Sequence, residues 1–414
     1  MGDEPALKPD LTSGVSRRRL LVGGAAVVGV AGASAWAVSE SRRADDPVTF
    51  GAETVPFYGT HQAGIATAPQ SNATFIGLNL VPDSKREARE VLRAVLRLWT
   101  ADAQRLTQGS AALADTEPEL ALRPARLTVT VGFGPTLFDR VGLGRLRPSS
   151  ARPLPALPTD ELESRWGATD LMLQICADDP MVVAHATRVL VKNVRTLADE
   201  RWRQVGFRTA RSAEPDGTTA RNLMGQVDGT VNPIAETTDF DQVVWSDGAS
   251  QPWMAGGTMM VLRRIRMNLD AWDVLDRGSK ELAIGRRLDN GAPLTGDKEN
   301  DPVDITMRRD GITVIPPNAH VAVAHPQHPE ERFLRRPYNY DEAPPAGETS
   351  SSGLIFVAYQ RDIDRQFLPV QLRLAQSDAL NRWTTAIGSA VYVIPPGVGP
   401  GGFLGGQLFS AAAD

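Results

Sequence analysis

Two stretches of the chain share one order of segments, and that order admits few folds. Ala73–Leu80 is an apolar run of strand length. Lys85–Leu106 then places Ala88, Val91, Leu92, Val95, Leu96 and Trp99 at helical spacing, behind Asp83 or Ser84 as N-cap. Ala125–Phe133 alternates Leu127, Val129 and Val131 with Thr128 and Thr130, the period of a strand. Asp170–Ala177 is a nearly continuous apolar strand. Pro180–Asp199 is helical through Val183, Ala186, Val189, Leu190 and Val194, and a short strand near Gln204–Arg208 closes the set. Strand, helix, strand, strand, helix, strand is the order of a ferredoxin-like unit. The rhythm returns further on, without visible sequence identity. Thr258–Met267, Ala319–Ala324, Leu354–Gln360 and Ala390–Ile394 read as strands. Asp270–Leu288 is mostly helical, and Asp364–Thr385 is a helix with Phe367, Val370, Leu374 and Leu380 inward. The expected fold is α+β, two ferredoxin-like units with antiparallel sheets joined near residue 215. The Pro- and Gly-rich tail through Gly406 is expected on the surface.

The rest of the chain narrows the partner. Lys and Arg number 44 against 49 Asp and Glu, a net charge of -5, so there is no cationic surplus for nucleic acid and a small-molecule partner is expected. The single cysteine, Cys176, excludes an intramolecular disulfide and a Cys-rich zinc site, and reads as a small buried hydrophobe. No Cys-x-x-Cys-His is present to attach a c-type haem. Ser16-Arg17-Arg18-Arg19-Leu20-Leu21, a Gly/Ala-rich run to Val38 and the small-x-small site Ala35-Trp36-Ala37 resemble a twin-arginine export signal. Leu20–Val38 is short and diluted for a membrane anchor, so no stable span is expected after processing. The chain divides into a signal over 1–37, a polar leader over 38–56, one ferredoxin-like unit over 57–215 and a second over 216–414. Ala213–Thr219 and Pro344–Gly353 have linker composition.

Few side chains can carry chemistry. Of five histidines, His185 lies in an amphipathic helix and reads as structural, whereas His61 sits in a glycine-punctuated loop, Tyr58–Ile65, with no second ligand near it in sequence. His320-x4-His325-x2-His328 fits neither a helix face nor a known zinc spacing, and loop histidines beside prolines are often plain surface residues. Arg221–Pro233 holds Gly225-Gln226-Val227-Asp228-Gly229-Thr230, whose glycines let the backbone present Asp228 and approach a flat ligand. Alone, Asp-Gly-Thr is equally an ordinary turn.

Taken in order, that segment, Asn318–Pro326, Phe333–Tyr340 (FLRRPYNY) and Gln360-Arg361-Asp362 with Gln366-Phe367 resemble the dye-decolorizing peroxidase family. The resemblance spans nearly the whole chain after the signal. It implies haem b, non-covalent and one per chain, held in the second unit. His320 matches the proximal ligand of the haem iron, Asp228 the distal catalytic aspartate, and Arg335 the distal arginine, which also touches the cofactor, with Arg336 the alternative. Gly229, Thr230 and Val231 match backbone along the haem, and His325 lies in a loop toward its edge. Asp362 is the expected partner of the second His320 nitrogen.

The implied activity is hydrogen-peroxide-dependent oxidation of dyes, phenols or another external donor by an exported, extracellular or cell-surface enzyme. Alternatives are a deferrochelatase-like protein acting on the porphyrin, or a haem carrier without turnover. A carboxylate as distal base, where many haem peroxidases use histidine, implies an acidic activity optimum. Tyr338, Tyr340, Trp272 and Trp383 are candidates to relay electrons from bulky donors. Two departures from the family pattern stand out. Pro337 occupies a place where glycine is common, and Ala322 one where arginine is frequent.

Overall fold

The computed structural model describes residues 50–81, 87–215 and 217–413. The expected export segment 1–37, leader residues 38–49 and the expected caps Asp83 and Ser84 lie outside the described residues.

The first unit runs β1 (Asn72–Leu80), α1 (Ala88–Thr107), β2 (Thr128–Phe133), α2 (Pro135–Arg140), β3 (Leu171–Ala177), α3 (Pro180–Val194) and β4 (Ala198–Phe207). Its strands are antiparallel in the order β2-β3-β1-β4. α3 begins where Asp179 accepts the Met181 N–H ahead of Pro180, a cap with proline at the first helical position. It stops at Val194, short of the expected Asp199, because Ala198 and Asp199 already pair with Leu80 and Asn79 in β4.

The second unit runs α4 (Thr238–Val244), β5 (Thr258–Met267), α5 (Leu269–Asp273) and α6 (Arg277–Ile284). A small hairpin follows, β6 (Arg308–Arg309) with β7 (Ile312–Thr313), then α7 (His320–Val323), β8 (Leu334–Arg335) and β9 (Tyr338–Glu342). β10 (Ser351–Gln360), α8 (Leu368–Ser377), β11 (Thr384–Ile394) and α9 (Gly406–Ala411) complete it. The main sheet order is β11-β5-β10-β9. In both units the fourth strand lies beside the first, the first beside the third and the third beside the second, so both ferredoxin-like units are present. β8 pairs with the same edge of β10 as β9. The edge strand is interrupted at Arg336-Pro337, where proline has no N–H for a ladder.

The two sheets meet at Val393 with Phe133 and at Phe207 with Asn339, and with the β5–β10 pairing the strands close into one ring. Alternating side chains point into it. Phe75, Met172, Cys176, Tyr338, Tyr340, Tyr359 and Tyr392 form the interior, and Cys176 is buried as expected. Outside the first sheet, α1 and α3 pack Leu92, Leu96, Trp99 and Leu190. Outside the second, Met224, Met267, Trp272, Ile284, Leu354 and Leu380 form a smaller core. Each such fully buried large side chain contributes about 1.5–3 kcal/mol, so this small cluster fixes the platform on which the site is built.

Four expectations are corrected. Ala319–Ala324 is a helical turn: it follows Pro316-Pro317, and the Ala322, Val323 and Ala324 N–H groups bond back to Ala319 and His320. Asp270–Leu288 divides into α5 and α6, because Asp276 accepts the Ser279 N–H and starts a new helix. Asp364–Thr385 divides after Ser377, where Asp378 caps a short turn over Ala379–Arg382, and its end belongs to β11. The glycine-rich tail is not wholly on the surface, since Val398, Leu404, Leu408 and Phe409 are buried in the first unit's core.

Candidate active site

The Arg221–Pro233 loop lies on the outer face of the second sheet. Asn339, the one outward residue between Tyr338 and Tyr340, accepts the Leu223 N–H and donates Nδ2–H to the Arg221 carbonyl, tying the loop to β9. The Asp228 N–H donates to Ala220 O at 2.9 Å. Gly229 follows at φ +139°, a conformation that residues with a Cβ resist. Asp228 is thereby presented, its side chain 16% exposed, and its Oδ1 accepts from Arg335 Nη1 at 2.9 Å. Arg335 is held from behind: its N–H donates to Asn232 Oδ1 and its carbonyl accepts from Asn232 Nδ2. Thr230 and Thr219 both donate to Glu299 Oε1. Val231 is 70% exposed, an apolar side chain left facing outward beside Asp228.

Arg336 points the other way. It is 1% exposed and donates to Thr67 O and Gln70 Oε1 in the first unit. Strand alternation on either side of the interruption thus separates two adjacent arginines, and Arg335 is the one that reaches Asp228.

His320 opens α7. Its Nδ1 lies 2.6 Å from Asp378 Oδ2, and Asp378 is itself fixed because Oδ1 accepts the Leu380 N–H. The protein around the ring disfavours its charged form, but the charge and hydrogen bond of Asp378 outweigh that and raise the His320 pKa above the ordinary histidine value; Arg335 and Asp228 also act on it. The His320 side chain is 35% exposed, and its Nε2 has no protein partner among the described residues. An imidazole with one nitrogen on a carboxylate and the other free is the donor set expected of an axial ligand. Asp362, the expected partner, instead accepts the Asp364 and Arg365 N–H groups at the start of the helical segment before α8. Gly285, at φ +86° after α6, supports α7 from below. A Cβ there would stand 2.3 Å from Val321 Cγ1.

The loop after α7 is clamped by Arg373 of α8, which donates to Val323 O, His325 O and both Glu331 oxygens. Hydrogen bonds from Arg373, then from the Gln327 N–H, hold the buried Glu331 carboxyl below its ordinary pKa. The stability this confers is present above the usual glutamate pKa of about 4.3 and is lost as pH falls through the lowered folded value. Glu331→Gln is expected to reduce unfolding free energy at neutral pH by about 2–3 kcal/mol, less than a fully buried pair, because Arg373 keeps its carbonyl partners. Urea midpoints for wild type and variant should differ at pH 7 and converge in acid; a constant difference across pH would reject this assignment.

The remaining expected residues fall in several places. His325 and His328 are exposed on that loop. Among the described residues no group of three or more His, Cys, Asp or Glu gathers to hold a metal ion. His185 is buried on Asp115 at 2.9 Å, as a structural histidine. His61 stacks on Trp245 at 3.9 Å with Nδ1 at 2.7 Å from Gly256 O, joining the first unit's loop to the second unit. Tyr338 and Tyr340 lie inside the ring, while Trp272 and Trp383 meet edge to face at 5.3 Å beside the site loop, Trp272 donating to Met224 O. Arg208, after β4, was not expected. Its guanidinium lies 5.9 Å from the Tyr338 ring, and burial lowers its pKa against the pull of Tyr338 and Asp228.

Two ferredoxin-like units that set a carboxylate-held histidine and an Asp–Arg pair into one electrostatic neighbourhood have the make-up of an α+β haem peroxidase. The chain belongs to the Dyp-type peroxidase family: residues 62–208 match the family's N-terminal model and 219–399 its C-terminal model. It is 39% identical to a dye-decolorizing peroxidase of Thermobifida fusca, over 89% of this chain and 88% of that one. It is 33% identical to a deferrochelatase of Escherichia coli, over 84% and 85% of the two chains. The crystal structure of a DyP-type peroxidase from Cellulomonas bogoriensis superposes with a TM-score of 0.84 at 50% identity, covering 87% of this chain and 99% of that one. The protein is therefore a peroxidase, and its family binds haem.

Proposed function

We propose that the chain is an exported haem b peroxidase that binds one haem non-covalently in the second unit, residues 216–414, and oxidises dyes, phenols or another external donor. The observation that carries this reading is the pairing of His320 with Asp378 and of Asp228 with Arg335 in one neighbourhood. Bound through His320 Nε2, haem supplies a redox-active iron with an open position for peroxide. Asp228 Oδ2, which has no protein hydrogen bond among the described residues, accepts a proton from peroxide and returns it to the departing oxygen. Arg335 keeps that carboxylate oriented and offsets negative charge on the departing oxygen. Gly229, Thr230 and Val231 would give a backbone that a flat macrocycle can approach, and the loop of His325 would lie toward its edge. Of the four relay candidates, Trp383 is the one that is not buried, so it is the point at which electrons from bulky donors enter. Export rests on Arg17 and Arg18. Among the described residues no helix is long and apolar enough to cross a membrane.

The test is the visible spectrum of haem-loaded protein before and after one equivalent of hydrogen peroxide. A Soret band that shifts with peroxide is expected. His320→Ala should remove the band, whereas an Asp228→Asn/Arg335→Gln double variant should keep it and lose the peroxide response. The relatives named deferrochelatase favour a second reading, in which the chain acts on the porphyrin itself. Iron-free protoporphyrin fluorescence appearing during incubation with haem would select that reading, and a Soret band indifferent to peroxide would overturn the first.

A further inference from the structure

Away from these residues, α1 and the chain after β11 line an open cleft of about 950 Å³. That is within the size range of small-molecule sites, roughly 300–1,000 Å³. Its lining combines two kinds of group. Tyr58 and Phe403 provide aromatic surface over the buried Trp253, and Arg97 and Arg105 project from α1 on either side of the small residue Ala101. Neither arginine has a carboxylate partner among the described residues. Arg97 lies over the Phe403 ring at 5.2 Å, and Arg105 spends only its Nε–H, on Ala111 O. One turn earlier Arg93 stacks on Phe409 at 4.7 Å, also without an acidic partner among the described residues. Asp102, buried three residues before Arg105, offsets part of that arginine's charge, but guanidinium groups without a bonded carboxylate still raise the positive potential of a concave surface, and a planar guanidinium binds carboxylate or sulfonate through paired N–H donors.

We infer that this cleft is a second binding site, for an aromatic monoanion: a flat ring against Phe403 and Tyr58 with its carboxylate or sulfonate on Arg97 and Arg105. None of these residues belongs to the His320, Asp228 and Arg335 set, so the inference stands apart from the reaction proposed there. Ala101 is the residue that keeps the space open between the two arginines, and a large side chain at that exposed position fills the cleft without entering the core.

The probe is 4-(trifluoromethyl)benzenesulfonate, followed by fluorine NMR line broadening on the full haem-loaded chain without peroxide, beside the neutral 4-(trifluoromethyl)benzyl alcohol. Saturable binding of the sulfonate is expected, weakened about tenfold or more by Arg97→Gln and by Ala101→Trp, with much weaker binding of the alcohol. The charged-group contribution to such a contact is roughly one tenfold step or more. Arg201→Gln, which removes an exposed arginine elsewhere, and Arg335→Gln, which removes the anion-binding group of the candidate active site, should leave the affinity unchanged. Binding abolished by Arg335→Gln but not by Arg97→Gln would place the sulfonate at the other site and overturn the inference. Equal binding of sulfonate and alcohol, or no binding at all, would overturn it as well.

Discussion

Asp228→Asn should lower kcat/KM for hydrogen peroxide by about 10²–10⁴, the usual worth of a positioned proton carrier and about 3–5 kcal/mol of barrier, while haem content stays at the wild-type level. The amide matches the carboxylate in size and still offers Arg335 an oxygen, so the loop held by Asn339 and the Asp228 N–H keeps its shape. What disappears is the basic oxygen. Arg335→Gln should cost about 10²–10³, the scale of losing one charge-stabilising donor, and the two losses should fall short of additive because the side chains form one unit. Stopped-flow measurement of the peroxide-dependent spectral change, with haem-to-protein ratio as control, decides the point. A variant at position 228 within fivefold of wild type would remove Asp228 from the proton-carrying role.

Asp378→Ala should weaken haem binding about 10–100-fold, as loss of the partner behind a ligating histidine commonly does. The change removes two things at once, the acceptor for the His320 Nδ1–H and the cap on the Leu380 N–H. Asp378→Asn separates them, since an amide oxygen still caps the turn while the negative charge on the imidazole is gone. A purely structural role predicts that the asparagine variant behaves as wild type. A role in setting the histidine's electron donation predicts a shifted iron–histidine stretching frequency in the reduced haem protein and a raised reduction potential even where haem is retained. Asp362→Asn, by contrast, should leave affinity and frequency unchanged, because Asp362 bonds only to the backbone and side chains of its own turn. Equal effects at 362 and 378 would mean that the loss comes from disturbing α8 and not from the imidazole.

That contrast also marks where sequence reasoning runs out. Periodicity located β1, β3, β5 and β10 within a few residues, because each is a run of apolar side chains buried on both faces or alternating between them. It failed where local backbone chemistry decides: Ala319–Ala324 has strand composition, yet the prolines before it and its own hydrogen bonds make it helical. β9 went unrecognised because Tyr338, Asn339 and Tyr340 are all buried for different reasons, the tyrosines inside the ring and the asparagine against the Arg221 loop. In the site, ordered motifs singled out Asp228, His320 and Arg335, which lie in glycine-, proline- and arginine-marked segments. Asp378 stands 58 residues beyond His320, and the only trace it leaves locally is an aspartate before a turn, a pattern that Asp362 displays equally well. Asn232 supports Arg335 across 103 residues, a contact no spacing rule encodes.

The ring of strands also sets a timetable for making the protein. β11, the last strand, lies between β5, the first strand of its own unit, and β2 of the other. Until residues 384–394 have emerged from the ribosome, β5 and β2 each present an unpaired edge, open to pairing with other chains. The sheet behind the Asp228 loop is likewise incomplete until then, however early that loop itself is synthesised. The β1–β4 and β5–β11 pairings join residues more than a hundred positions apart, so ring closure is a slow, late step. Chains that end before residue 394 are accordingly expected to aggregate, not merely to lack activity, and stable cofactor capture becomes possible only once translation is nearly complete.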